Sequence, residues 1–121
     1  MFNNNFDFNF ENCKVVLINE GQFFEDLYEV VRDMVKKGKH VYVCGLDGDF
    51  ERNKFGQILD LIPLCDNVYK MTALCSICKN GTKAIFSMRS TDDKIQTLVG
   101  SDIYQPVCRL CYETHVCKSQ S

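Results

Sequence analysis

Residues 14–18, Lys-Val-Val-Leu-Ile, make a short unbroken apolar run rich in β-branched side chains. Such a run predicts a strand buried on both faces, as in parallel α/β sheets. The period then changes. Phe24, Leu27, Tyr28, Val31 and Val35 recur at helical spacing, with Glu25, Asp26, Glu29, Arg32, Asp33, Lys36 and Lys37 between them. This predicts an amphipathic helix whose apolar stripe packs on the sheet. Its acids lie early and its lysines late, which suits the helix dipole, and Gly38 is a ready C-cap. His40-Val-Tyr-Val-Cys44 reads as a second strand, so residues 14–44 form a β-α-β unit with a parallel crossover. Ile58, Leu59, Leu61 and Ile62 predict a short helix over 55–64, stopped by Pro63. Residues 67–72 are a third strand candidate.

Residues 83–89 and 94–99 alternate with period two, separated by polar Ser90-Thr-Asp-Asp93. They predict a β-hairpin, followed by a loop over 100–104. Past Tyr112 the chain turns polar and is expected to fray. At the other end, Phe2, Phe6, Phe8 and Phe10 stand among asparagines without a helical or strand period. That lead-in is either disordered or a cover for apolar surface.

The 121 residues are 45% hydrophobic and 25% charged, the balance of an ordinary globular chain of one domain or one domain with a small appendage. A net charge of −2 gives no general attraction to phosphate backbones, which argues against nucleic acid as a partner. No apolar run approaches the roughly 18–20 residues that span a bilayer. Residues 1–12 do not resemble a secretory signal. The eight cysteines then read as reduced thiols plus a metal site, and the expected location is the cytoplasm.

Four of those cysteines carry the strongest chemical signal. Cys75-Ser-Ile-Cys78 is answered by Cys108-Arg-Leu-Cys111. Two such doublets each offer two thiolates to one ion, and four thiolates close the tetrahedral shell of zinc. A closed shell has no place for water, so the expected zinc is structural, and it pins both feet of residues 79–107. Two disulfides or four unrelated thiols are the alternatives. His115 and Cys117 lie near enough to compete as ligands but do not repeat the doublet.

Residues just past the carboxyl ends of parallel strands line the ligand crevice of α/β sheets. Glu20 follows the first strand there, as a carboxylate placed for chemistry or as a solvated acid. The glycine-bracketed, polar and aromatic stretch from Gly45 to Phe55 follows the second strand. Gly48 within it can be a plain turn glycine, and His40 an ordinary strand residue.

In this order the motifs resemble the type II thymidine kinases. They are Asn19-Glu-Gly-Gln-Phe-Phe24, then Gly45-Leu-Asp-Gly-Asp-Phe-Glu-Arg-Asn-Lys-Phe55, then Leu61-Ile-Pro-Leu64. The first cysteine doublet, a strand end near Arg89 and Tyr104-Gln-Pro-Val-Cys-Arg-Leu-Cys-Tyr112 complete the series. The resemblance covers about residues 14–112. It implies an α/β fold, a partial P-loop-kinase-like parallel sheet with a small zinc-ribbon or lasso domain. The implied division is a lead-in over 1–13, a partial kinase core over 14–72, a zinc-binding lasso over 73–112 and a polar tail over 113–121. The implied activity moves the γ-phosphoryl of ATP to the 5′-hydroxyl of thymidine. Glu20 would be the base that takes the hydroxyl proton. Phe23, Leu46, Phe50 and Phe55 would line the thymine pocket, with Ser87 at its base. Ile95, Thr97 and Tyr104 would belong to the lasso over the base. Cys75, Cys78, Cys108 and Cys111 would hold the zinc that keeps the lasso still.

Two departures from the family pattern stand out. No G-x-x-x-x-G-K-[ST] run is present to cradle the phosphates of ATP and bind Mg²⁺. The chain is therefore expected to correspond to the carboxyl-terminal half of such an enzyme. Asn19 also stands where the family has an Asp in the magnesium environment. Three functions are compatible with these residues. One is a thymidine kinase portion, inactive alone, whose phosphate-binding half comes from a separate chain or whose subunits form a homo-oligomer. Another is a nucleoside-binding module without catalysis. The last is a zinc-ribbon interaction domain.

Overall fold

The computed structural model describes residues 12–89 and 104–120, the side chains of 115–120 excepted. It divides into two compact units: Met1–Asp47 with Lys54–Val68, and Gly48–Asn53 with Tyr69–Ser121. The described residues form a small α/β fold with one parallel and two antiparallel strand pairs. No helix among the described residues is long and apolar enough to cross a membrane.

The first unit contains the β-α-β element. Strand β1 (Val15–Ile18) pairs in parallel with β2 (His40–Val43), Val15 opposite His40 and Ile18 opposite Val43. Two bonds extend the ladder, His40 N–H to Lys14 O at 2.8 Å and Cys44 N–H to Ile18 O at 3.0 Å. Helix α1 (Leu27–Lys36) connects them, burying Leu27, Val31 and Met34 against Val16 and Ile18. Its C-terminus is a Schellman closure: Gly38 N–H reaches Val35 O at 3.0 Å and Lys39 N–H reaches Met34 O at 3.1 Å. Gly38 adopts φ +81, which only glycine enters without cost, as expected of its C-cap role.

Several sequence expectations are corrected here. Strand β1 is buried on one face only, and Leu17 is 76% exposed. Helix α1 covers one side, strand alternation sends Val15 and Leu17 to the other, and no described element lies there. Helix α1 starts at Leu27, one turn after Phe24, although Phe24 is still buried in the core. Val35 is 44% exposed because Met34 takes the inward position, completing the Leu27, Val31, Met34 stripe. The expected helix over 55–64 is a 3₁₀ helix at Leu59–Leu64 with Pro63 inside it rather than ending it. Its bonds are short-range, such as Cys65 N–H to Ile62 O at 3.1 Å, and a single missing donor is tolerated in so brief a turn. Leu61 anchors this turn in the same core.

Residues 67–72 do not form the third strand, and Tyr69 and Met71 are 81% and 87% exposed. An alternating pattern becomes a strand only when a neighbour accepts its backbone bonds, and none among the described residues does.

The second unit contains two antiparallel pairs. Strand β3 (Ala73–Leu74) pairs with β4 (Lys83–Ala84), and β5 (Phe86–Arg89) pairs with β6 (Tyr104–Val107). The hairpin partner expected at 94–99 lies outside the described residues, as do Ile95 and Thr97; the observed partner of β5 is β6. Cys75, Ala84, Val107, Cys108 and Tyr112 form this unit's core, with Phe86 and Met88 packed on it. Where a frayed tail was expected, the backbone continues as helix α2 (Arg109–Gln120). Tyr112 N–H bonds Cys108 O at 2.9 Å, which fixes the first helical turn, and no proline or glycine follows to end it.

Candidate functional site

The two cysteine doublets are shaped by their backbones. Cys75 N–H bonds Thr82 O at 2.8 Å, and Lys79 N–H returns to Cys75 O at 3.2 Å, with Lys79 in the left-handed region at φ 54. Cys78 N–H points to Cys75 Sγ at 3.4 Å. Cys108 leaves β6, and Cys111 lies in the first turn of α2. Ser76 ties the doublets together, its N–H and its hydroxyl both reaching Pro106 O, at 2.9 and 3.0 Å.

The four sulfurs lie within 4.8 Å of one another. Cys78 Sγ is 3.8 Å from Cys108 Sγ and 3.5 Å from Cys111 Sγ. Four sulfurs at a Zn–S bond of about 2.3 Å sit roughly 3.8 Å apart at tetrahedral corners, so this donor set fits a zinc ion. Every described cysteine is a free thiol, which excludes disulfides within this set. The thiols of the cluster also influence one another. Backbone N–H groups, that of Cys78 foremost, hold the Cys75 thiol down to about 6. Its neighbours shift the other way. The hydrogen bond to Cys78, reinforced by burial, pushes Cys111 up to about 12. Cys78 is raised as well: its bond with Cys111 lowers it, but those with Cys75 and Cys108 outweigh that. Four thiolates brought this close repel one another, and a dication is the charge that would neutralise them. The side chains of His115 and Cys117 lie outside the described residues.

In the first unit the residues past the two strands meet at a side chain that the strand-end motif contained without a role. Gln22 is only 4% exposed. Its Nε2 donates to Glu20 Oε2 at 2.6 Å, and its Oε1 accepts from Leu46 N–H at 3.1 Å. Glu20 itself adopts φ 54, a left-handed conformation costing of order 1 kcal/mol for a residue with a side chain. Phe23 packs edge-on against buried Phe55, their rings 5.6 Å apart at 90°. The buried Gln22 amide thus joins Glu20 to Leu46, while Phe23 and Phe55 pack on each other. Asn19 Oδ1 accepts from Cys44 Sγ at 3.1 Å. The signal that could have found Gln22 is Gly56. At φ +61 it lies so close that a Cβ there would stand 2.2 Å from Gln22 O. Gly56→Ala is therefore expected to cost about 1–3 kcal/mol, read as a fall in the urea midpoint.

In the second unit Phe50 and Tyr104 meet through Arg89, which the motif series marked only as a strand end. The guanidinium carbon of Arg89 lies 3.7 Å from the Phe50 ring centre and 5.1 Å from that of Tyr104. Its Nη2 donates to Tyr104 Oη at 2.6 Å. Arg89 and Tyr104 are register partners across β5 and β6, and Ser87, two residues earlier, shares Arg89's face of β5.

These features define a small α/β protein with a cluster of four cysteines that could hold a metal ion. The family model for thymidine kinase matches residues 3–112. The chain is 46% identical over 105 residues to a thymidine kinase of Oryza sativa subsp. japonica, covering 85% of this chain and 38% of that protein. It is 50% identical over 99 residues to the thymidine kinase of a variola virus isolate, covering 81% of this chain and 55% of the viral protein. Against the cytosolic thymidine kinase of Homo sapiens it is 44% identical over 99 residues, covering 81% of this chain and 42% of the human protein. The chain belongs to the thymidine kinase family. It spans about 40–55% of the length of these relatives.

Proposed function

We propose that this chain supplies the nucleoside-binding and proton-accepting portion of a thymidine kinase. The observation that carries the reading is the Gln22 amide, which ties Glu20 to the loop bearing Leu46 beyond the ends of two parallel strands. Glu20 serves as the base that accepts the 5′-hydroxyl proton of thymidine as its oxygen attacks the γ-phosphorus of ATP. A base acts only when held within hydrogen-bond reach of the proton it takes, and Gln22 holds this one. Phe23, Leu46, Phe50 and Phe55 enclose the thymine, with Ser87, Ile95, Thr97 and Tyr104 recognising its polar edge. Cys75, Cys78, Cys108 and Cys111 hold a structural zinc that keeps residues 73–112 rigid as a lasso domain. Residues 14–72 are then part of a P-loop-kinase-like core, working in the cytoplasm.

ATP and Mg²⁺ enter this scheme through a segment these 121 residues do not contain, since no G-x-x-x-x-G-K-[ST] run occurs in them. Charge on the transferring phosphoryl needs that cradle and its lysine. A separate chain provides it. A second reading, a thymidine-binding module without catalysis, is favoured by Asn19, whose amide brings no charge to a metal.

Saturating thymidine is expected to raise the melting temperature of the chain by several degrees, and deoxycytidine to do less. The chain alone, given ATP and Mg²⁺, is expected to transfer nothing. Transfer that appears on adding a segment with a phosphate-binding loop, and disappears in Glu20→Gln, supports the kinase reading. Absence of any thymidine shift sinks both readings; turnover that survives Glu20→Gln sinks the assignment of the base.

A further inference from the structure

The tip of the glycine-bracketed loop, residues 48–53, belongs with the tetracysteine unit rather than with the strands on either side of it in sequence. Asp49 closes the tip: its Oδ1 accepts the N–H groups of Glu51 and Asn53, each at 2.9 Å. Arg52 stands at φ 65, an unfavourable conformation for arginine. In return its guanidinium lies 4.6 Å from the Tyr112 ring centre and 5.3 Å from that of Phe86, and it pairs with Glu113. Tyr112 directly follows Cys111 and is 4% exposed. Its hydroxyl donates to the carbonyl of Phe50. The ring of Phe50 meanwhile carries the Arg89 guanidinium. Phe50 is thus gripped by its backbone from the metal-binding helix and by its ring from β5.

We propose that Tyr112 and Arg52 are positioning residues that bolt the 48–53 tip to the tetracysteine module, so that the metal centre sets where Phe50 meets the nucleobase. The consequence for the nucleobase rests on the thymidine reading above; the bolt does not. Ring stacking of a cation on tyrosine and a buried hydroxyl-to-carbonyl bond act together, and each alone is modest. Four thiolates closed on one ion would make the turn carrying Tyr112 a rigid anchor for both.

The test uses the zinc-loaded 121-residue chain and amide hydrogen exchange. Tyr112→Phe keeps the ring and removes the hydroxyl. Arg52→Asn keeps a residue that tolerates positive φ and removes the cation. Each is expected to speed exchange within 48–53 by about five-fold or more, with zinc still at one equivalent. Thymidine affinity, measured by calorimetry, is expected to fall with it. Unchanged exchange in both variants overturns the bolt. Faster exchange with unaltered thymidine affinity overturns the link to Phe50's role. If the unmodified chain binds no thymidine while both variants still loosen the tip, the bolt stands and the nucleoside reading fails.

Discussion

Chain purified from cells is expected to carry about one zinc, and chelating that zinc is expected to melt the Gly48–Asn53 and Tyr69–Ser121 unit. The described apolar core there is small: Cys75 and Cys108 are themselves two of the five residues in its buried cluster. Its strand pairs run two and four residues each. Structural zinc contributes on the order of 10–16 kcal/mol of apparent binding free energy in zinc-finger peptides, as much as a whole domain's stability. Cys78→Ser is expected to reproduce the chelator's effect, since Cys78 faces both Cys108 and Cys111. Acid acts in the same direction. The metal-bound thiols are held as thiolates, so the stability they lend is present at neutral pH and above and is lost as pH falls and protons displace the ion. Loss of near-ultraviolet dichroism on chelation is the readout. Metal analysis that returns no zinc, or a second unit unmoved by chelator, overturns the expectation.

Leu27→Ala is expected to lower the stability of the chain by about 2–5 kcal/mol. Leu27 is fully buried at the first turn of α1, among Val16, Ile18, Phe24 and Leu61. The parallel pair beneath it offers only one covered face, so little else is available to fill the space left behind. Leu27→Met, which nearly preserves volume, is expected to cost less than about 1.5 kcal/mol. Urea melts of both variants give the comparison. Equal midpoints for the two would show that this core does not hold the unit together.

Local spacing carried much of this. The β-branched run at 15–18, the helical stripe through Leu27 and Val31 and the glycine at 38 named the β-α-β element, because periodicity and capping act within a few residues. The doublets pointed for the same reason to the four cysteines that the fold brings together, since each pair needs only its own short turn. Motif order pointed to the thymidine kinase family, and the family match agrees.

Partners distant in sequence came only from the fold. Which strand lies beside β5, and that the pattern at 67–72 pairs with nothing described, depend on backbone bonds that no local pattern encodes. Gln22, Arg89 and Tyr112 carry no periodic signal. They matter because burial removes water and leaves each polar group to find its partner from another element: Leu46, Tyr104 and Phe50 respectively. Short-range stereochemistry therefore chose the elements and the cysteine turns, while desolvated long-range hydrogen bonds chose how the loop and helix α2 hold each other.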